Sequence, residues 1–193
     1  MTFSFDTALQ ALGRPGLVRL MATALLAFSL AAPALADDIE HASISEGETE
    51  QALALFLEAY AGDHSRSTVY PGVRALLDQL QADQVPLALV TNKPSRFVPE
   101  LLADKQLDGY FRWLVGGDTL PVQKPDPAAL NWVMQQAAVS AAQALFVGDS
   151  RSDVLAARAA GVPVVAVSYG YNHGQSIATE NPDLLVDSLD ALI

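Results

Sequence analysis

From Val85 onward, short apolar runs alternate with amphipathic stretches, and this alternation limits the fold more than any other feature of the chain. The runs lie in "VPLALVTN" (85–92), "RWLVGG" (112–117), "ALFVG" (144–148), "VPVVAVS" (162–168) and the start of "LLVDSLDALI" (184–193). Most lack the alternation of a half-exposed strand, so they read as strands buried on both faces of a parallel sheet. Between them, "SRFVPELLADKQ" (95–106), the stretch from about Pro127 to Ala138, and residues 151–160 read as helices, and a last helix is expected within "LLVDSLDALI" after its strand. Upstream, "EGETEQALALFLEAYAG" (46–62) places Leu53, Phe56, Leu57 and Tyr60 on one helical face, and Gly62 closes it. "YPGVRALLDQLQADQ" (70–84) repeats the pattern with Val73, Leu76, Leu77 and Leu80, and its Pro71 is expected in the first turn. Strands alternating with helices predict an α/β fold: a three-layer, Rossmann-like parallel sheet covered by helices on both sides.

Charge narrows the partners. The 193 residues hold 22 acids against 11 Lys and Arg, a formal net charge of −11, and the cations are scattered along the chain. A polyanion would be repelled, so nucleic acid is not an expected partner, and an anionic small molecule would need a local cation. The sequence has no cysteine, which rules out a disulfide framework, a thiolate nucleophile and a cysteine zinc site. That fits a reducing compartment, and the expected location is the cytoplasm. "RLMATALLAFSLAAPALADD" (19–38) gives the alternative: an apolar stretch followed by Ala34-Leu35-Ala36 reads as a secretory signal matured at Asp37. Its apolar run is too short to span a bilayer. A buried helix is the plainer reading.

In open parallel sheets, ligands sit at the carboxyl ends of the strands. Thr91 and Asn92 follow the run at 86–90, and their hydroxyl and amide can bind phosphate oxygens beside a helix N-terminus. Gly148 and Asp149 end the run at 144–148, and Asp153 follows one helical turn later. Lys124 lies between them in "PVQKPDPAAL", held in a stiff loop by the following Pro125. Singly, each has a structural reading: Thr91 as a cap, Lys124 as a solvated lysine, Asp149 as an N-cap, and Asp153 as a first-turn acid favoured by the helix dipole. Together, at successive strand ends, a hydroxyl, an ammonium and a carboxylate point to one phosphate site. His41, His64 and His173 have no ligand spacing, Trp113 and Trp132 fit the core, and Gly170 and Gly174 read as turn formers.

"LALVTNKP", "GGDTLPVQKPDPAAL" and "ALFVGDSRSDVLAARAAG" resemble the second, third and fourth motifs of the haloacid dehalogenase-like phosphatases. With "YGYNHG" (169–174), the run from about Gln51 to Leu192 resembles their phosphoglycolate phosphatase branch. The resemblance implies a phosphatase acting on a small phosphorylated metabolite, 2-phosphoglycolate first among them, through an aspartyl-phosphate and with Mg2+ as cofactor. It implies phosphate binding by Thr91 and Asn92, and charge neutralisation and orientation of the nucleophile by Lys124. It also implies metal binding by Asp149 and support of Lys124 or the metal by Asp153. These types suit the chemistry, since magnesium takes hard oxygen ligands and phosphoryl transfer depends on positioning and charge. A carboxylate nucleophile divides hydrolysis into two easier steps.

The nucleophile motif of that family, an apolar strand followed by Asp-x-Asp-Gly-Thr, does not occur in this sequence. "TFSFDTAL" (2–9) offers Asp6 as a candidate catalytic nucleophile, but Ala8 stands where the second aspartate belongs. "ALGRP" (11–15) resembles a piece of the helical cap, which would put Asp6 inside a cap helix. Relatives carry Gly-Asn-Gly-Ala after that piece, and the codons of Met21-Ala22-Thr23-Ala24 permit Gly-Asn-Gly one nucleotide back. Residues from about 17 to 33 are accordingly open to three readings: out of frame, signal-like, or a native helix. The expected organisation is an irregular segment over 1–45, a cap remnant over 46–66 and a phosphatase core over 67–193. A chain that binds metal and phosphate without turnover is the alternative function.

Overall fold

A computed structural model of the chain describes residues 22–23, 68–170, 172 and 174–193. The segment Val69–Ile193 forms one compact unit with the N-terminal strand. Strands are β1 (Ala22–Thr23), β2 (Leu87–Val90), β3 (Trp113–Val115), β4 (Phe146–Gly148), β5 (Val164–Val167) and β6 (Leu184–Val186). Helices are α1 (Val73–Ala82), α2 (Val98–Asp104), α3 (Ala128–Ala137) and α4 (Arg151–Ala159).

Every strand pairing is parallel. Two hydrogen-bonded ladders, β1-β2-β3 and β4-β5-β6, are present. β1 also comes alongside β4, so the strands follow the order β3-β2-β1-β4-β5-β6. Burial shows that the ladders share their two faces. Leu87, Leu89, Val147, Val165 and Val167 pack in one cluster with Val73, Leu76, Leu77 and Leu80 of α1 and with Val98 and Leu102 of α2. Ala88, Val90, Phe146, Val164 and Ala166 pack in the other with α3 and α4. Adjacent residues of one strand therefore feed opposite cores, which is why the runs are continuously apolar. The outcome is the expected three-layer α/β architecture.

The four α1 residues expected on one face are the four that are buried. Pro71 lies in the turn before α1, which starts at Val73 after Gly72 at φ 80°. The segment 95–106 divides into a 3-10 turn, Ser95–Phe97, and α2. The helix expected at the end of the chain is a 3-10 turn, Leu189–Leu192, whose Ser188 side chain accepts from the Asp190 amide. Trp113 and Trp132 are partly buried against the α3–α4 core. Asp6, the signal-like stretch apart from 22–23, the expected cap remnant over 46–66, and His41, His64 and His173 lie outside the described residues. Among the described residues, no helix is long and apolar enough to cross a membrane.

Candidate functional site

The site begins at the carboxyl end of β2. The Thr91 amide donates to the Val115 carbonyl at 2.9 Å, and the Thr91 hydroxyl oxygen accepts from the Lys93 amide at 3.1 Å. Asn92 has a backbone partner distant in sequence. Its Nδ2 donates to the Lys124 carbonyl at 2.8 Å, and its Oδ1 accepts from the Lys124 amide at 3.1 Å. A carboxamide matches a peptide unit in both donor and acceptor, so this side chain clamps the Lys124 backbone. That engagement takes its oxygen and one of its N–H groups.

The clamp aims Lys124 inward. Its Nζ donates to the Val90 carbonyl at 3.0 Å and to Asp153 Oδ1 at 2.6 Å, and it lies 5.6 Å from the centre of the Phe146 ring. Lys124 is 9% exposed and Asp153 4%, so this is a buried ion pair and not a surface contact. The other oxygen of Asp153, Oδ2, accepts from the Asp149 amide at 3.1 Å, the Ser150 amide at 3.0 Å and the Ser150 hydroxyl at 2.6 Å. Burial opposes ionisation of Asp153, but the Lys124 charge and these hydrogen bonds outweigh it and hold the carboxyl below its ordinary range. One carboxylate thus ties together the end of β2, the end of β4 and the first turn of α4.

Glycines make this closeness possible. A Cβ on Gly148 would stand 2.4 Å from Asp153 Cβ, and one on Gly117 would stand 2.3 Å from the Asn92 carbonyl oxygen. Asp149 closes β4 half-buried. The expected N-cap role there belongs to Ser150, whose extended backbone precedes α4. Among the described residues, no group of three or more His, Cys, Asp or Glu could hold a metal. Magnesium is commonly held through one or two carboxylates together with substrate phosphate and water. Asp149, a half-buried carboxylate one residue beyond β4, is of the hard-oxygen type that suits such a cation. An open depression of about 690 Å³ beside the Lys124 loop is lined, among the described residues, by Val122, Pro125 and Pro127 with Asp126 as the one ionisable side chain, so these offer no cation to an anion.

The structure therefore joins Lys124, Asp153 and the Asp149 amide, anchors Lys124 on the Val90 carbonyl one residue before Thr91, and gives Asn92 a positioning contact. It adds residues the sequence reading passed over. Asn172 is 7% exposed, and its Oδ1 accepts from the Arg151 amide at 2.8 Å, satisfying a free donor at the start of α4. Tyr169 packs its ring 4.7 Å from that of Tyr70. Its hydroxyl is buried and unpartnered, and burial, with Tyr70, Asp190 and Asp149 nearby, pushes its pKa up to about 12. Only the run "YGYNHG" hinted at this turn. A single asparagine has no periodicity to betray its partner.

A parallel sheet with a buried Lys–Asp pair at its carboxyl edge and a second carboxylate beside it defines a class. The chain belongs to the haloacid dehalogenase-like hydrolases, whose sequence profile matches residues 30–167. It is 59% identical over 160 residues to phosphoglycolate phosphatase 1 of Pseudomonas aeruginosa, a match covering 83% of this chain and 59% of that protein. It is 52% identical over 196 residues to the phosphoglycolate phosphatase of Pseudomonas savastanoi pv. phaseolicola, covering 100% of this chain and 72% of that one. Among solved structures, a predicted phosphoglycolate phosphatase from Haemophilus somnus matches with a TM-score of 0.69 and 34% identity, covering 76% of this chain and 65% of that one. The chain spans less than two thirds of the length of the Pseudomonas aeruginosa relative.

Proposed function

We propose that this chain is a phosphatase of small phosphomonoesters, with 2-phosphoglycolate as substrate and glycolate and phosphate as products. The observation that carries the reading is the buried Lys124–Asp153 pair, joined through the Asp149 amide to the end of β4. The names of the relatives support the substrate. Lys124 neutralises phosphate charge from a site where water competes little, and Asp153 keeps the ammonium aimed. Thr91 offers its hydroxyl to a phosphate oxygen, and Asn92 holds the Lys124 backbone in register. Asp149 would hold Mg2+, which when bound supplies further charge neutralisation to the phosphate. The absence of cysteine and of any charge pattern for a polyanion supports a cytoplasmic protein acting on a small metabolite.

A second reading has its own support: no Asp-x-Asp-Gly-Thr run occurs in the sequence. A chain without an attacking carboxylate would bind Mg2+ and phosphate and not turn over. One assay separates the two. Purified chain is incubated with 2-phosphoglycolate and Mg2+, and released phosphate is measured beside Asp149→Ala. Release that depends on Mg2+ and disappears in Asp149→Ala is the result expected of the phosphatase. Binding of Mg2+ and a phosphate analogue without release favours the second reading, and neither binding nor release removes both.

A further inference from the structure

The turn after β5 packs on the carboxylate assigned to the cation. A Cβ on Gly170 would stand 2.0 Å from Asp149 Cβ, 2.6 Å from its Cγ and 2.5 Å from its Oδ2. These separations are far inside van der Waals contact, and the shortest is to Cβ, whose place the backbone fixes, so a side chain at 170 requires this turn or the end of β4, and with it the Asp149 carboxylate, to shift. Gly170 is not among the glycines with positive φ, whereas Gly174 is, at 75° with open space around it. The two glycines of this turn thus serve different ends. Gly174 answers the backbone, while Gly170 answers the space needed by its neighbour.

The turn has little freedom to retreat. On one flank, the Ser168 amide donates to the Val186 carbonyl at 3.0 Å, the Ser168 hydroxyl donates to Asp187 at 2.6 Å, and Tyr169 packs on Tyr70. On the other, buried Asn172 accepts from the Arg151 amide at the start of α4. Asp149 is held from its far side as well, since its amide donates to Asp153. We propose that Gly170 is a positioning residue: its bare backbone sets the orientation of the Asp149 carboxylate and thereby the affinity of the site for a divalent cation, with Asn172 holding the turn against α4. The inference rests on the reading of Asp149 as the metal-binding carboxylate. Orientation matters because Mg2+ demands near-octahedral geometry at short distances and tolerates misplaced ligands poorly.

The test uses the full chain and Mg2+ alone, by calorimetric titration, together with thermal unfolding of a mutant cycle. Gly170→Ala is expected to weaken Mg2+ binding about 10- to 100-fold, as loss of a ligand-orienting neighbour does, and Asp149→Ala to abolish it. Gly170→Ala should also lower Tm, and most of that loss should vanish in an Asp149→Gly background, where the opposing Cβ is gone. If Gly170→Ala does not fold, recovery of folding in the double variant carries the same information. Parental Mg2+ affinity in Gly170→Ala overturns the inference and leaves Asp149 in its role. A stability penalty of equal size in both backgrounds also overturns it, because the added methyl then acts elsewhere. No Mg2+ binding by the parent, or unchanged binding by Asp149→Ala, overturns the reading of Asp149 and the inference with it.

Discussion

Lys124 and Asp153 stabilise each other only as a pair. Lys124→Met leaves Asp153 buried with hydrogen bonds but no counter-charge, and should cost about 3–5 kcal/mol in urea unfolding at pH 7. Asp153 also makes stability depend on pH. Its folded pKa is depressed relative to an unfolded value of about 3.9. Its contribution is therefore present above pH ~4 and lost as pH falls through the folded pKa, because only the unfolded chain takes up the proton first. The urea midpoint should decline from pH 5 to 3 in the parent, and Asp153→Asn, already destabilised, should lose that part of the decline. Lys93 gives a slope of the same sign in a second, alkaline window. Burial lowers its pKa to about 8, while an unfolded lysine titrates near about 10.4. Between those values the unfolded chain binds more protons, so stability rises with pH there. An NMR titration of the Lys93 side chain should give a midpoint near 8, and Lys93→Met should remove the rise.

The types and order of Thr91, Lys124, Asp149 and Asp153 are local facts, so these residues could be picked out before any contact was known. The parts played by Asn92 and Asn172 could not. Each is defined by a backbone group far away in sequence, on Lys124 and Arg151 respectively. The strands explain why the alternation was legible. In β2, β4 and β5 every described residue is buried, so their sequences carry continuous apolar runs. The 3-10 turn at Leu189–Leu192 was harder to distinguish from an α-helix, because one turn buries Leu189 and Leu192 at a spacing common to both. Among these elements, β4 joins core to chemistry. Phe146 is 2% exposed, packs in the α3–α4 core and lies beneath the Lys124 ammonium. Phe146→Ala should cost about 3–5 kcal/mol through the cavity it leaves. Thermal unfolding checks the loss, and a conservative Phe146→Leu should recover more than half of it.

Across the molecule, β1 decides how the two halves of the site relate. It pairs with β2 in parallel, Ala22 opposite Leu87 and Thr23 opposite Ala88, and comes alongside β4. The central place in the sheet is thus taken by Ala22 and Thr23. No aspartate occurs between Asp6 and Asp37, so the sequence around β1 offers no aspartate to attack a phosphate. Adding to the chain a strand that ends in Asp-x-Asp-Gly-Thr should raise Mg2+-dependent phosphate release from 2-phosphoglycolate well above that of the unextended chain. Equal rates in the two, compared in one phosphate assay, would show that the added carboxylate has no part in turnover.

Hydrophobic periodicity and residue order are written along the chain, because they follow from which face each residue must bury. They carried the α/β class, the buried face of α1 and the choice of four candidate residues. Contact between distant backbone atoms is written nowhere locally. The fold alone made Asn92 a clamp on Lys124, turned Asp153 into the buried partner of that lysine, and pressed Gly170 against Asp149. Each of these depends on two segments brought together by packing, which no single segment can record.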